Sequence, residues 1–125
     1  MSYKRLIPCI FIYKGKAIKW FDDKEVVSDD VIGLAKQYCD QGADELIVFD
    51  LSNTDDEHDE AIDLMKKVNR AISIPMVAGG NVRRQEDVKK ILYTGAKRAI
   101  LNFSKPLSFE LIEEVSKRFG KERIA

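Results

Sequence analysis

Ile74-Pro75-Met76-Val77-Ala78-Gly79-Gly80-Asn81-Val82-Arg83-Arg84 carries the pattern from which the fold is read. After the proline comes a short apolar run, which suits the first residues of a buried strand. Gly79 and Gly80 end it, where the backbone can turn tightly and approach a ligand closely. Asp87-Val88-Lys89-Lys90-Ile91-Leu92 follows with helical spacing. A strand, a glycine turn and a helix in succession bring backbone N–H groups to where a phosphate can sit. The same pattern also serves an ordinary βα turn with glycines for steric reasons, since short glycine motifs are weak evidence.

Working outward, the strand–helix alternation recurs. Arg5-Leu6-Ile7-Pro8-Cys9-Ile10-Phe11-Ile12 is a nearly continuous apolar strand, as in a parallel sheet buried on both faces. Pro8 fits a central strand only where no ladder bond is needed. Tyr13-Lys14-Gly15-Lys16 reads as a turn, and Ala17-Ile18-Lys19-Trp20-Phe21 as a short extra strand within a long loop. Ser28 or Asp29 can cap a first helix, whose stripe is Val31, Leu34, Ala35, Tyr38 and Cys39, and Gly42 closes it.

Glu45-Leu46-Ile47-Val48-Phe49-Asp50 is a second strand that ends in a carboxylate. A polar loop from Ser52 to Asp59 leads to a helix with Ala61, Leu64, Met65, Val68 and Ile72 on one face. The helix after the glycine turn buries Val88, Ile91 and Leu92 and ends at Gly95. Arg98-Ala99-Ile100-Leu101-Asn102 is the fourth strand. Pro106 and Ser108 introduce a fourth helix with Leu111, Ile112, Val115 and Phe119 inside, closed by Gly120. Arg123-Ile124-Ala125 reads as the start of a fifth strand. Strict alternation of this kind means a parallel sheet with right-handed crossovers. An internal echo reinforces it: Gly42-Ala43-Asp44-Glu45-Leu46-Ile47-Val48-Phe49 aligns with Gly95-Ala96-Lys97-Arg98-Ala99-Ile100-Leu101-Asn102, as in two copies of a (βα)2 block.

At 125 residues the chain suits one domain over residues 1–125 with one core. Apolar content of 45% and charged content of 34% describe a folded globular chain rather than a disordered one. Its 21 basic and 21 acidic residues cancel, which removes the electrostatic argument for a nucleic-acid or anionic-membrane partner. No signal peptide or membrane span is read, and a cytoplasmic protein is expected. Cys9, in a strand, and Cys39, on a helix face, are expected as buried reduced thiols. His58, the one histidine, falls in the acidic loop and is expected to be solvated. No metal cluster or cofactor fingerprint can be built from this inventory.

The chain resembles the N-terminal half of the histidine-biosynthesis (β/α)8 barrels, nearest to the cyclase subunit of imidazole glycerol phosphate synthase, with the related ribotide isomerase as its sister. Lys4-Arg5-Leu6-Ile7-Pro8-Cys9, Gly42-Ala43-Asp44-Glu45-Leu46 through Asp50, Ile74-Pro75 through Gly80, Gly95-Ala96 and Asn102 carry the likeness. It spans the whole chain, which is half of a family barrel. The implied fold is a (βα)4 half-barrel of TIM-barrel type; a flavodoxin-like open parallel sheet allows the same alternation.

The resemblance also implies ligand chemistry at the C-terminal ends of the strands. Gly79, Gly80 and Asn102 match a phosphate-binding set, with Asn81 in place of a third glycine and Ser104 following Phe103 where a hydroxyl is usual. The family's general acid–base pair needs an aspartate at the end of strand one, and this chain has Phe11. Its second aspartate lies on a fifth strand. Asp50 and Lys19 remain weak catalytic candidates: Asp50 could equally cap a helix or bind a neighbouring N–H, and Lys19 could be a solvated lysine. At the other end of the strands, Arg5, Glu45 and Arg98 match a charged ring that guards an ammonia passage, and are expected first as structural pairs.

Two functions follow as expectations. One is a phosphate-binding, cyclase-like half-barrel without activity of its own; the other is a catalytic half of a cyclase or isomerase that needs a second half-barrel. The partners expected are a phosphorylated small molecule and either a second copy or a fused second half-barrel, with a glutaminase only for the full barrel. Ile10, Ile47, Val77 and Leu101 are the inward-facing side chains expected at such a pairing.

Overall fold

The computed structural model describes residues 6–20, 23–52, 54–80, 85–100, 117, 118, 120 and 123. Their elements, in chain order, are β1 (Cys9–Tyr13), β2 (Lys16–Trp20), β3 (Asp23–Ser28), α1 (Val31–Asp40), β4 (Leu46–Asp50), α2 (Asp55–Ala71), β5 (Met76–Gly79), α3 (Gln85–Tyr93) and β6 (Arg98–Ile100). The sheet runs β3-β2-β1-β4-β5-β6. β1, β4, β5 and β6 are parallel, while β2 and β3 add an antiparallel edge. The fourth helix expected from Pro106 onward falls outside the described residues, apart from two helical positions, Lys117 and Arg118.

The four parallel strands follow one another in sequence order, with no reversal. Right-handed crossovers in an unreversed order put every helix on one face. α1, α2 and α3 accordingly share a single apolar core with the sheet. A flavodoxin-like sheet needs a reversal, and a helix on each face, so that alternative is discarded. The fold is the open, mostly parallel α/β sheet expected of half a (β/α)8 barrel.

Alternation along the strands sorts the two faces. Ile10 and Ile12 of β1, Leu46 and Val48 of β4, Met76 and Ala78 of β5 and Ala99 of β6 belong to the helix-side core. Phe11, Ile47, Phe49 and Ile100 are half-buried on the other face, which would be the concave face of a half-barrel. One of the expected inward-facing residues therefore needs correction: Ile10 faces the helices. Val77 shares the face of its register partners Ile47 and Arg98, as expected, and is buried there. Leu101 lies outside the described residues. Cys9 is exposed rather than buried, because it begins β1 on the uncovered side. Cys39 is half-buried, with its Sγ 3.4 Å from Ser73 Oγ.

Local chemistry sets the element boundaries. Pro8 and Pro75 lie just outside β1 and β5, so no donor is missing from the ladder. Their carbonyls still accept, from Ile47 and Leu46 N–H, at 3.0 Å each. Lys14 (φ 51°) and Gly15 (φ 77°) make a two-residue turn of type I′, the geometry that joins twisted strands directly into a hairpin. The long loop expected there is thus a hairpin, β1–β2, extended by a further strand, β3. Asp30, rather than Ser28 or Asp29, caps α1, accepting from Gly33 N–H at 2.9 Å; Ser28 Oγ accepts from Asp30 N–H at 3.0 Å instead. α2 starts inside the stretch expected as loop: Thr54 Oγ1 caps it at Glu57 N–H, 3.2 Å. Asp55, Asp56 and Glu57 in its first turn complement the helix dipole.

The internal echo is also structural. Gly42 and Gly95 both take positive φ after a helix, and Ala43 and Ala96 are both buried behind them. Asp44 N–H then donates to Leu6 C=O and Lys97 N–H to Met76 C=O, each at 2.8 Å. No helix among the described residues is long and apolar enough to cross a membrane.

Candidate functional site

The C-terminal ends of the parallel strands stand side by side, with Phe11 opposite Phe49 and Phe49 opposite Gly79, and Ile12 opposite Asp50. Gly79 ends β5 and Gly80 turns away from it with φ 95°. A Cβ on Gly79 would stand 2.7 Å from Ile100 Cβ, and one on Gly80 would collide with the backbone N and O of Asp50. Both glycines are therefore required by close approach of neighbouring chain, and Gly80 also by its left-handed backbone. Asn81, Asn102 and Ser104, the other residues expected at a phosphate, lie outside the described residues.

On the concave face the rings of Phe11 and Phe49 stack with centroids 5.5 Å apart and planes at 12°. This is the level at which the resemblance calls for a carboxylate. An aromatic pair there offers apolar surface and neither gives nor takes a proton. Lys19 is exposed in β2, in a strand rather than in a loop.

Asp50 points the other way. It shares the helix-side face with Leu46 and Val48 and is 1% exposed. One carboxylate oxygen, Oδ1, accepts from Ser52 N–H at 2.9 Å, which fastens the turn after β4. The other, Oδ2, meets Nδ1 of His58 in a short contact. His58 Nε2 lies 3.8 Å from Oδ1 of Asp87, in the first turn of α3. The structure thus builds a buried carboxylate–imidazole–carboxylate cluster that ties the end of β4 to the first turns of α2 and α3.

His58 is the correction with the largest consequence: it is 8% exposed, on a helix, and not solvated in a loop. The signal was present, because His58 stands three, four and seven residues before Ala61, Ile62 and Met65 and continues their buried stripe back by one turn. The hydrogen bond to Asp50 raises its pKa above the ordinary value, and the charges of Asp50 and Asp87 push the same way. Burial and the Lys90 ammonium oppose them. The ring thus stands between two buried carboxylate side chains, a setting that favours its charged form. Held in this way, Asp50 is placed to organise backbone, and its side chain does not reach the concave face.

At the opposite end of the strands, Glu45 pairs with Lys97 at 3.7 Å. Arg98 begins β6 and is exposed, and Arg5 lies outside the described residues.

The sequence profile of the histidine biosynthesis protein family matches residues 5–125. The imidazole glycerol phosphate synthase subunit HisF of Flavobacterium psychrophilum is 35% identical, over 99% of this chain and 50% of its own length. Its counterpart in Exiguobacterium sibiricum is 34% identical, over 96% of this chain and 49% of its own. That of Oceanobacillus iheyensis is 36% identical, over 98% and 48%. The chain spans about half the length of the curated relatives it matches.

Proposed function

This chain belongs to the histidine biosynthesis protein family, and on that premise we propose that it is a cyclase-like half-barrel that binds a phosphorylated small molecule and does not cyclise it alone. The observation that carries the reading is the Phe11–Phe49 stack. A general acid or base contributes about 10²–10⁴-fold to a rate, and a phenyl ring stands where the resemblance calls for the first of the pair. The phosphate would lie over the Gly79–Gly80 turn, with Asn81, Asn102 and Ser104 as further donors. Free backbone N–H groups and the dipole of α3 supply the attraction.

Pairing with a second half-barrel, either another copy or a fused partner, is supported by the apolar side chains on the sheet face away from α1, α2 and α3. Phe11, Ile47, Phe49 and Ile100 are half-buried on that face. Burying such a side chain from full exposure is worth about 1.5–3 kcal/mol, so eight half-buried ones, four from each copy, supply about 6–12 kcal/mol, comparable with an association cost of about 4–15 kcal/mol. Two-fold pairing is the commonest closed solution for identical chains. A glutaminase would join only the completed barrel. The second reading, a catalytic half that works once paired, rests on the likeness to the HisF subunits over nearly all of this chain.

Two measurements test this. Phosphate titrated to millimolar concentration should shift the amide resonances at and after Gly79 and Gly80; without shifts, only the steric role of the glycines is left. The purified chain should give no cyclisation of the histidine-pathway substrate, and Phe11→Asp should not restore it. Turnover by the chain alone would overturn the proposal.

A further inference from the structure

We propose that His58 is a protonated clasp that positions the Gly79–Gly80 turn, through Asp50 on one side and Asp87 on the other. Three observations carry it. His58 Nδ1 contacts Asp50 Oδ2 and Nε2 lies 3.8 Å from Asp87 Oδ1, so one ring joins β4 to α3 from its place on α2. Nε2 is buried and has no hydrogen-bond partner, so its hold on α3 is the charge attraction to Asp87. Gly80, in turn, lies so close on the backbone of Asp50 that not even a methyl group fits between them. Whatever moves Asp50 moves the floor under the glycine turn.

Without its proton the ring keeps at most one hydrogen bond to Asp50 and loses its attraction to Asp87. Two buried carboxylates then lack a cation, and α2 and α3 loosen from the end of β4. The charged groups that act on the ring are Asp50 from β4 and Asp87 and Lys90 from α3. On its own helix, Asp55, Asp56, Glu57 and Asp59 stand nearby in sequence, and Lys90 reaches Asp59 at 3.6 Å. The folded value of His58 is raised, so its contribution to stability is complete below the unfolded value and is lost as pH rises through the folded one. The effect on a bound anion rests on the proposed phosphate reading; the clasp itself does not.

The chain has one histidine, so a single imidazole signal reports it. The Cys39 thiol, which hydrogen bonds from Ser73 pull below its ordinary value, is removed as a competing titration by a Cys39→Ser background. The imidazole should titrate with a midpoint above about 6.5. The Gly80 amide should shift with that same midpoint. Between about pH 6 and about pH 9 the urea midpoint of unfolding should fall. His58→Gln should have a lower midpoint at about pH 6, with little further change. His58→Arg keeps a charge, and its fork can reach both carboxylates, so it should remove the pH dependence.

Sulfate, whose charge is constant over this range, should bind about fivefold more weakly at the higher pH in the wild type and equally at both in His58→Arg. An imidazole midpoint at or below about 6.5, or a Gly80 amide indifferent to that titration, would overturn the clasp. If the imidazole and Gly80 move together but sulfate binds at neither pH, the clasp stands and the phosphate reading falls.

Discussion

At the end of β4, Phe49 and Asp50 are neighbours in the chain and point to opposite faces of one sheet. Phe49 stacks on Phe11 on the face away from α1, α2 and α3. Asp50 is sealed under α2 and α3 with His58 and Asp87. The usual expectation is reversed, with the charge inside and the rings half outside. Burial is tolerated where every charge has a partner in reach, and the helix layer supplies those partners from two different first turns. On the other face the described residues nearest the end of β4 are the rings of Phe49 and Phe11, which offer no such charge. The difference separates two jobs that one carboxylate in the sequence could have had: holding backbone and moving protons.

The sharpest way to break this contrast is Asp50→Ala. It strands a buried imidazolium beside Asp87 and should cost about 3–5 kcal/mol in urea unfolding. A loss below about 1 kcal/mol, the scale of an ordinary hydrogen bond, would mean that the cluster is not an ion triad. Next come paired truncations on the two faces. Leu46→Ala, at a fully buried helix-side position, should cost about 2–5 kcal/mol. Ile47→Ala, its half-buried neighbour, should cost about half of that in a monomer. Equal costs that grow with protein concentration would show that a partner covers the concave face.

Gly80→Ala tests the contact between the glycine turn and β4. Positive φ and collision with the Asp50 backbone together should cost at least about 1–3 kcal/mol and shift the His58 imidazole signal. An unshifted imidazole would separate the turn from the cluster. The smallest effect is expected of Phe11→Asp. In a monomer it should cost about 0.5–1.5 kcal/mol, the worth of an aromatic pair. If two half-barrels close over each other, the same change buries a charge and should drive a dimer to monomer in sedimentation.

Periodicity made the four parallel strands and the helix stripes legible, because burial on one side imposes a repeat that survives in any single chain. The hairpin at Lys14-Gly15 was half legible: its turn was visible, but β3 was not. Asp23-Lys24-Glu25-Val26-Val27-Ser28 is mostly polar, and Val26 and Val27 are exposed, so neither a buried run nor an alternation marks it as a strand. The two glycines of the candidate site were legible as a turn, and the structure adds the reason, backbone contact with Asp50 and with Ile100. His58 was misread because three acidic residues before it resemble a loop, whereas behind the Thr54 cap they form the first turn of a helix.

The sequence by itself determined the alternation of the four parallel strands with the helices between them, the aromatic residue Phe11 at the end of β1, and the family. These depend on which residue types recur at which spacing, and spacing is local. Only the tertiary structure decided which face each strand residue takes, and so that Asp50 turns from the concave face to His58 and Asp87. That choice depends on register between strands and on the meeting of two helix termini. His58 lies eight residues from Asp50 and Asp87 lies thirty-seven from it, and only the packed sheet brings all three to one point.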